Sequence, residues 1–272
     1  MGQRAMPPHL EDIEMTGLVH KSNGAAALRV EPSPRRVRGR FAGEWVIDSP
    51  RALLMFETAH LPVYYFPLAD VRDDLLEPSD RRTTCPLKGE AGYLSIRVGD
   101  RIAPDAAWRY EHPIEGCPDI GEHLAFYWKA LDSWWEEDDQ VFVHARDPYK
   151  RVDVQRSSRH VRIELDGQTV ADSERPLLLF ETGLPTRYYI PRADVRLDLL
   201  RPSETRTSCP YKGDASYFSV DAGAGPHEDL AWTYKAPIPE CPKIEQAICF
   251  HDEHADVYVD GTLLERPTTP WS

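Results

Sequence analysis

From Val161 the chain alternates: Val161, Ile163 and Leu165 are apolar, Arg162 and Glu164 between them are charged, and Asp166-Gly167 follows. Alternation of this kind marks a half-buried strand and Asp-Gly marks a tight hairpin, so a second arm is expected at 168–171. The same pattern stands earlier at 37–41, 42–43 and 44–47. Apolar runs at 52–56 and 177–180 lead into tyrosine-rich runs bounded by prolines at 62–67 and 187–191, all read as strands. The segments 69–76 and 193–200, both ADVRxDLL, fit a short helix or an extended turn, with Pro78 and Pro202 ending them. A Pro/Gly turn then precedes strands at 93–98 and 217–220.

One segment reads two ways. Ile120, Leu124, Tyr127, Leu131 and Trp134 have helical spacing, yet the matching stretch His254–Gly261 alternates β-branched residues and ends in Asp-Gly. Matching copies share a fold, so strands are expected at 131–135 and 255–259, with a helical turn allowed at 119–124 and a further strand at 140–144. Both halves come out mainly β.

The match is extensive. The stretch Phe56–Ile96 lies over Phe180–Val220 without a gap, and 24 of 41 positions are identical at an offset of 124. The offset also pairs Asp48-Ser49 with Asp172-Ser173, Trp108 with Trp232, and Cys117 with Cys241. So long a period is a duplicated domain rather than a solenoid unit. The expected organisation is a flexible extension over 1–29 with a short helical turn at 9–18, a first domain over 30–145, a linker over 146–153, a second domain over 154–265 and a tail over 266–272.

Charge narrows the partners. The formal net charge is −13 over 272 residues, which disfavours nucleic acid and anionic membrane, both of which need a basic footprint. No run of 18 apolar residues exists and the N-terminal stretch has no hydrophobic signal core. Five cysteines, an odd number, fit a reducing, cytoplasmic setting.

Polar and aromatic residues that recur in both copies are the candidates for chemistry: Arg35 and Arg159, Glu57 and Glu181, Tyr64 and Tyr188, Lys88 and Lys212, Cys85 and Cys209, Tyr93 and Tyr217, Trp108 and Trp232. In Cys-Pro-x-Lys-Gly the lysine can meet an anion or act as a nucleophile, with the cysteine as a thiolate beside it. Equally, it can pair internally with Glu57 or Asp70 while the cysteine is buried as a small hydrophobe. Glu57 follows an apolar run, where an unanswered carboxylate is costly to bury. The aromatics could wall a pocket or fill a core. Cysteines 32 apart lack the Cys-x-x-Cys spacing of a zinc knuckle, so no metal and no cofactor is expected. No Ser-His-Asp order, P-loop or GxGxxG is present.

The run ETGxPxxYYxPxxDVRxDLLxPSxxxTxCPxKGxAxYxS, followed by AWxY, resembles the domain-of-unknown-function family numbered 427 in its tandem form, over about 30–145 and 154–262. The resemblance implies a β-tent, two antiparallel sheets per domain meeting at an angle. The family carries a nucleotidyltransferase-like label, and relatives of that fold include zinc-stabilised modules that bind small molecules. Two departures fall in the first copy: Ala59 stands where the second copy has Gly183, and Leu94 where it has Phe218. The expectation is therefore a small-molecule-binding module with an aromatic-lined polar pocket in each domain, formed by Arg35, Glu57, Tyr64, Lys88 and Trp108, and by Arg159, Glu181, Tyr188, Cys209, Lys212, Tyr217 and Trp232. The alternative is a nucleotidyl- or acyl-transfer enzyme using the lysine.

Overall fold

Alternating apolar residues pair into hairpins, and hairpins into sheets that need a partner face. A computed structural model describes residues 27–58, 60–223, 225–269 and 272. In the first half the strands are β1 (Leu28–Pro32), β2 (Val37–Phe41), β3 (Glu44–Ser49), β4 (Leu53–Glu57), β5 (Val63–Pro67), β6 (Leu76–Cys85), β7 (Gly89–Val98), β8 (Arg101–Arg109), β9 (His123–Phe126), β10 (Ser133–Glu136) and β11 (Asp139–Val141). The second half repeats them as β12 (Val152–Arg156), β13 (Val161–Leu165), β14 (Gln168–Ser173), β15 (Leu177–Glu181), β16 (Arg187–Ile190), β17 (Leu200–Cys209), β18 (Gly213–Asp221), β19 (Pro226–Pro237), β20 (Ile248–Phe250), β21 (Asp256–Val259) and β22 (Thr262–Leu263). Each half has an antiparallel seven-stranded sheet, in order β1-β4-β5-β9-β8-β7-β6 and β12-β15-β16-β20-β19-β18-β17. Each also has a four-stranded sheet, β11-β10-β2-β3 and β14-β13-β21-β22. The protein is mainly β, with two antiparallel sheets per repeat.

The Asp166-Gly167 hairpin joins β13 to β14 with φ of 50° and 79°, the left-handed pair that a two-residue turn demands. Where the chain reads ADVRxDLL, two 3-10 turns form, Leu68–Asp70 and Asp73–Leu75, and again at Arg192–Asp194 and Leu197–Leu199.

Three expectations need correction. The prolines are not what ends the ADVRxDLL segments, whose turns already stop at Leu75 and Leu199: β6 and β17 begin at Leu76 and Leu200 and pass through Pro78 and Pro202, with a register shift beyond each. Both are edge strands, where a missing N–H is tolerated. The 119–124 segment holds no helical turn, and its end belongs to β9, missed because Leu124, Ala125 and Phe126 are all buried. A central strand covered on both faces has no alternation to read. Finally, β1 and β12 open at Leu28 and Val152, two residues inside the stretches read as extension and linker. The helical turn at 9–18 and Ala59 lie outside the described residues.

Each half carries two apolar clusters. One lies between its two sheets, with Val37, Ile47, Tyr64, Phe66, Ile96 and Trp134 in the first half and Val161, Ile163, Tyr188, Ile190, Val220 and Phe250 in the second. The other coats the outer face of the seven-stranded sheet, around Tyr65, Tyr93, Tyr110 and Ile120, and around Tyr189, Trp232, Tyr234 and Ile244. Among the described residues no helix is long and apolar enough to cross a membrane.

Candidate functional site

Adjacent residues of a strand face opposite sides, and this divides the tyrosine pairs. Tyr64 and Tyr188 enter the cores between the sheets, while Tyr65 and Tyr189 enter the outer clusters. The candidate residues divide with them.

Arg35, Tyr64, Arg159 and Tyr188 belong to the inner side. The Tyr64 hydroxyl donates to Glu136 Oε1 at 2.7 Å, and Arg35 Nη1 lies 3.1 Å from Glu136 Oε2. Burial first, and the neighbouring carboxylate second, push the Tyr64 phenol far above its ordinary value. In the second half the strand register puts Val259 at the place of Glu136 and Asp260 at that of Glu137, and it is Asp260 that pairs with Arg159 at 3.3 Å. The Tyr188 hydroxyl has no hydrogen bond among the described residues. It faces an open cleft of about 180 Å³ with Thr186, Asp252, Val257 and Leu264 in its wall.

Glu57, Lys88, Trp108, Glu181, Cys209, Lys212, Tyr217 and Trp232 belong to the outer side. The Cys-Pro-x-Lys-Gly turn sets the lysine. Lys88 N–H bonds Cys85 O at 3.3 Å and Ile114 N–H bonds Lys88 O at 3.2 Å, tying the loop after β8 across the turn. Gly89 has φ of +101°, and a Cβ there would sit 3.1 Å from Ile114 Cγ2 and 3.4 Å from His112 O. Gly213 repeats this with φ of +103° against Ile238. Beneath the loop, Lys88 Nζ donates to Glu57 Oε2 at 2.5 Å, with Lys88 5% exposed. Lys212 donates to Glu181 Oε2 in the same way, and a second lysine, Lys150, reaches Glu181 Oε1 at 3.2 Å.

Burial works against the charge of Lys212, but Cys209 and then Glu181 outweigh it and hold the ammonium above its ordinary value. Burial likewise raises Glu181, and Lys212 ahead of Lys150 brings it below its ordinary value. Burial pushes the Cys241 thiol up to about 11 and raises Cys117, with the nearby lysine opposing in each case. The second-half lysine is therefore charged, and Cys117 and Cys241 are thiols rather than thiolates. All five cysteines are unpaired. Among the described residues no three His, Cys, Asp or Glu side chains converge to hold a metal ion.

On the same outer face as the ion pairs the aromatics form connected contacts. Trp108 lies edge-on to Tyr65 at 6.5 Å and 4.7 Å from Tyr127, which stacks with Tyr93 at 6.5 Å. Trp108 and Tyr127 are partly exposed. Thr83 Oγ1 and the Tyr93 hydroxyl are 2.9 Å apart, and the Arg81 guanidinium lies 4.4 Å over the Tyr93 ring. In the second half Trp232 donates its indole N–H to the Tyr189 hydroxyl at 3.1 Å, and His251 takes the place of Tyr127, 4.5 Å from the Trp232 ring.

Tyr127, His251 and Lys150 were not among the candidates. Nor was Arg187, which makes buried contacts to Glu253 at 2.6 and 2.9 Å and to Asp252 at 2.8 Å. All differ between the copies: Val63, Trp128 and Lys129 stand where the second copy has Arg187, Asp252 and Glu253. A search for recurring residues passes over them. For Lys150, Arg187 and Asp252 the sequence signal was the reverse one, a charged residue where the other copy has an apolar one.

A family model described as Domain of unknown function (DUF427) matches the chain twice, at residues 29–137 and 153–261. No curated protein matches it.

Proposed function

The chain belongs to the DUF427 family in two copies, and from that premise we propose that it is a small-molecule-binding protein whose ligand lies on the outer face of a seven-stranded sheet. On this reading the paired sheets are the β-tent that the resemblance implies. The observation that carries it is the Trp108–Tyr127 contact at 4.7 Å, partly exposed on the same outer sheet face as the Glu57–Lys88 pair. Flat apolar area next to a few fixed polar groups is what a small ligand site provides. A net charge of −13 also suits such a ligand better than a polyanion. Group transfer through the lysine fits less well. A nucleophilic amine must be uncharged, and Lys212 is held as an ammonium under its loop. The test is a thermal-shift screen of metabolites, followed by Trp108→Leu and Trp232→Leu. Binding should weaken at least tenfold in one variant while its circular dichroism is unchanged. Undiminished binding in both would reject this face as the site.

A further inference from the structure

The two copies build the same carboxylate site and fill it differently. In the second half, Arg151 N–H bonds Thr182 Oγ1 at 3.0 Å and Thr182 N–H bonds Arg151 O at 3.0 Å. Lys150, the residue before this clasp, then sends its ammonium to Glu181 Oε1 at 3.2 Å, 6.0 Å from the Tyr211 ring. In the first half the same clasp joins Ala27 and Thr58, with Ala27 N–H on Thr58 Oγ1 at 3.0 Å and Thr58 N–H on Ala27 O at 3.2 Å. The residue before it is alanine in sequence. Glu57 Oε2 accepts from Lys88, and no group among the described residues answers Oε1. The Glu57 side chain is 20% exposed, against 6% for Glu181.

We propose that Glu57 anchors a primary alkylammonium group in the first domain, at the place that Lys150 fills in the second. This rests on the reading of the outer face as a ligand surface and names the chemical class it takes. The second half demonstrates that this frame holds two ammonium groups on one carboxylate. The ligand ammonium donates to Oε1, as Lys150 does. Leu87 stands at the position of Tyr211, so the neighbouring wall is aliphatic and suits an alkyl stem. A quaternary ammonium has no N–H to donate and is rejected. A single charge-assisted contact of this kind gives a dissociation constant on the order of tens of millimolar for a small amine. The amine can be free or a lysine side chain, and the two are separable.

The test is a heteronuclear NMR titration of the whole chain with n-butylammonium and with Nα-acetyl-lysine methylamide, against tetramethylammonium at equal ionic strength. Amide signals around Glu57 should shift with both primary amines and not with the quaternary one. A tighter fit of the lysine derivative assigns the source to a protein side chain, a tighter fit of butylammonium to a free amine. Lys88→Met, which keeps the carboxylate, should bind at least as tightly, and adding Glu57→Gln to it should abolish the shifts. Signals around Glu181 should respond only after Lys150→Ala. No response around Glu57, an equal response to tetramethylammonium, or binding that survives Glu57→Gln in the Lys88→Met background would overturn the proposal. If butylammonium fails while a Trp108-dependent ligand still binds, the ammonium site falls and the ligand surface stands.

Discussion

Glu181 is a carboxylate with 6% of its side chain exposed, so its charge must be answered inside the protein. Lys212 and Lys150 answer it. Removing one partner of a buried pair typically costs about 3–5 kcal/mol, because the other charge is stranded. Lys212→Ala should fall at the low end of that range, since Lys150 remains on Glu181, and urea unfolding would measure it. The pH dependence follows from the two shifts. Glu181 titrates below its ordinary 4.5 when folded, so its contribution is present above that value and is lost as pH falls through the folded value. Lys212 titrates above its ordinary 10.5 when folded, so its contribution is present below that value and is lost as pH rises through the folded one. The difference in unfolding free energy between the wild type and Lys212→Ala should therefore be flat between about pH 5 and 10 and shrink on both sides.

Equivalent strands solve the same packing problem with different residues. Gly39 on β2 lies against Leu131 and Ile47, and a Cβ there would meet their Cδ1 atoms at 2.5 and 2.9 Å. Its counterpart on β13 is Ile163, 1% exposed, in a core where Ala255 and Ala171 stand for Leu131 and Ile47. One copy places bulk on the neighbours and the other on the central strand. Gly39→Ile alone should overpack the first domain and lower its stability by about 1–3 kcal/mol or more. Adding Ile47→Ala and Leu131→Ala should recover most of the loss. Thermal melts of the single and triple variants decide it, and no recovery would mean the two cores are not exchangeable. None of this compensation is visible in either copy read alone.

The chain divides into compact units at Asp147 and Pro148. No apolar cluster mixes residues from the two sides: two lie within 28–145 and two within 152–264. Each half thus buries its own cores, and units of this size can fold alone. Residues 21–147 and 148–272, expressed separately, should each unfold cooperatively in urea, with an m-value about half that expected for the whole chain's buried area. A half that shows no cooperative transition would make the cores interdependent.

Alternation, Asp-Gly turns and the 124-residue offset determined the duplication, the β2–β3 and β13–β14 hairpins and the strands β4, β5, β15 and β16, because strand periodicity and turn chemistry are local, whereas the long strands β8 and β19 were not legible in them. Recurrence also singled out Glu57, Lys88, Glu181 and Lys212, and left open whether they meet each other or a ligand. Only the tertiary structure decided that they meet each other, since the partners lie 31 residues apart and come together through strand order and a loop crossing the turn. It also decided that both faces of the seven-stranded sheet are covered. Period two requires Tyr64 and Tyr65 to part, but it does not say that each side has a core to receive one. Lys150 shows the limit most clearly. Its role depends on the Arg151–Thr182 clasp beside the end of β15, a contact between distant parts of the chain that no local pattern encodes.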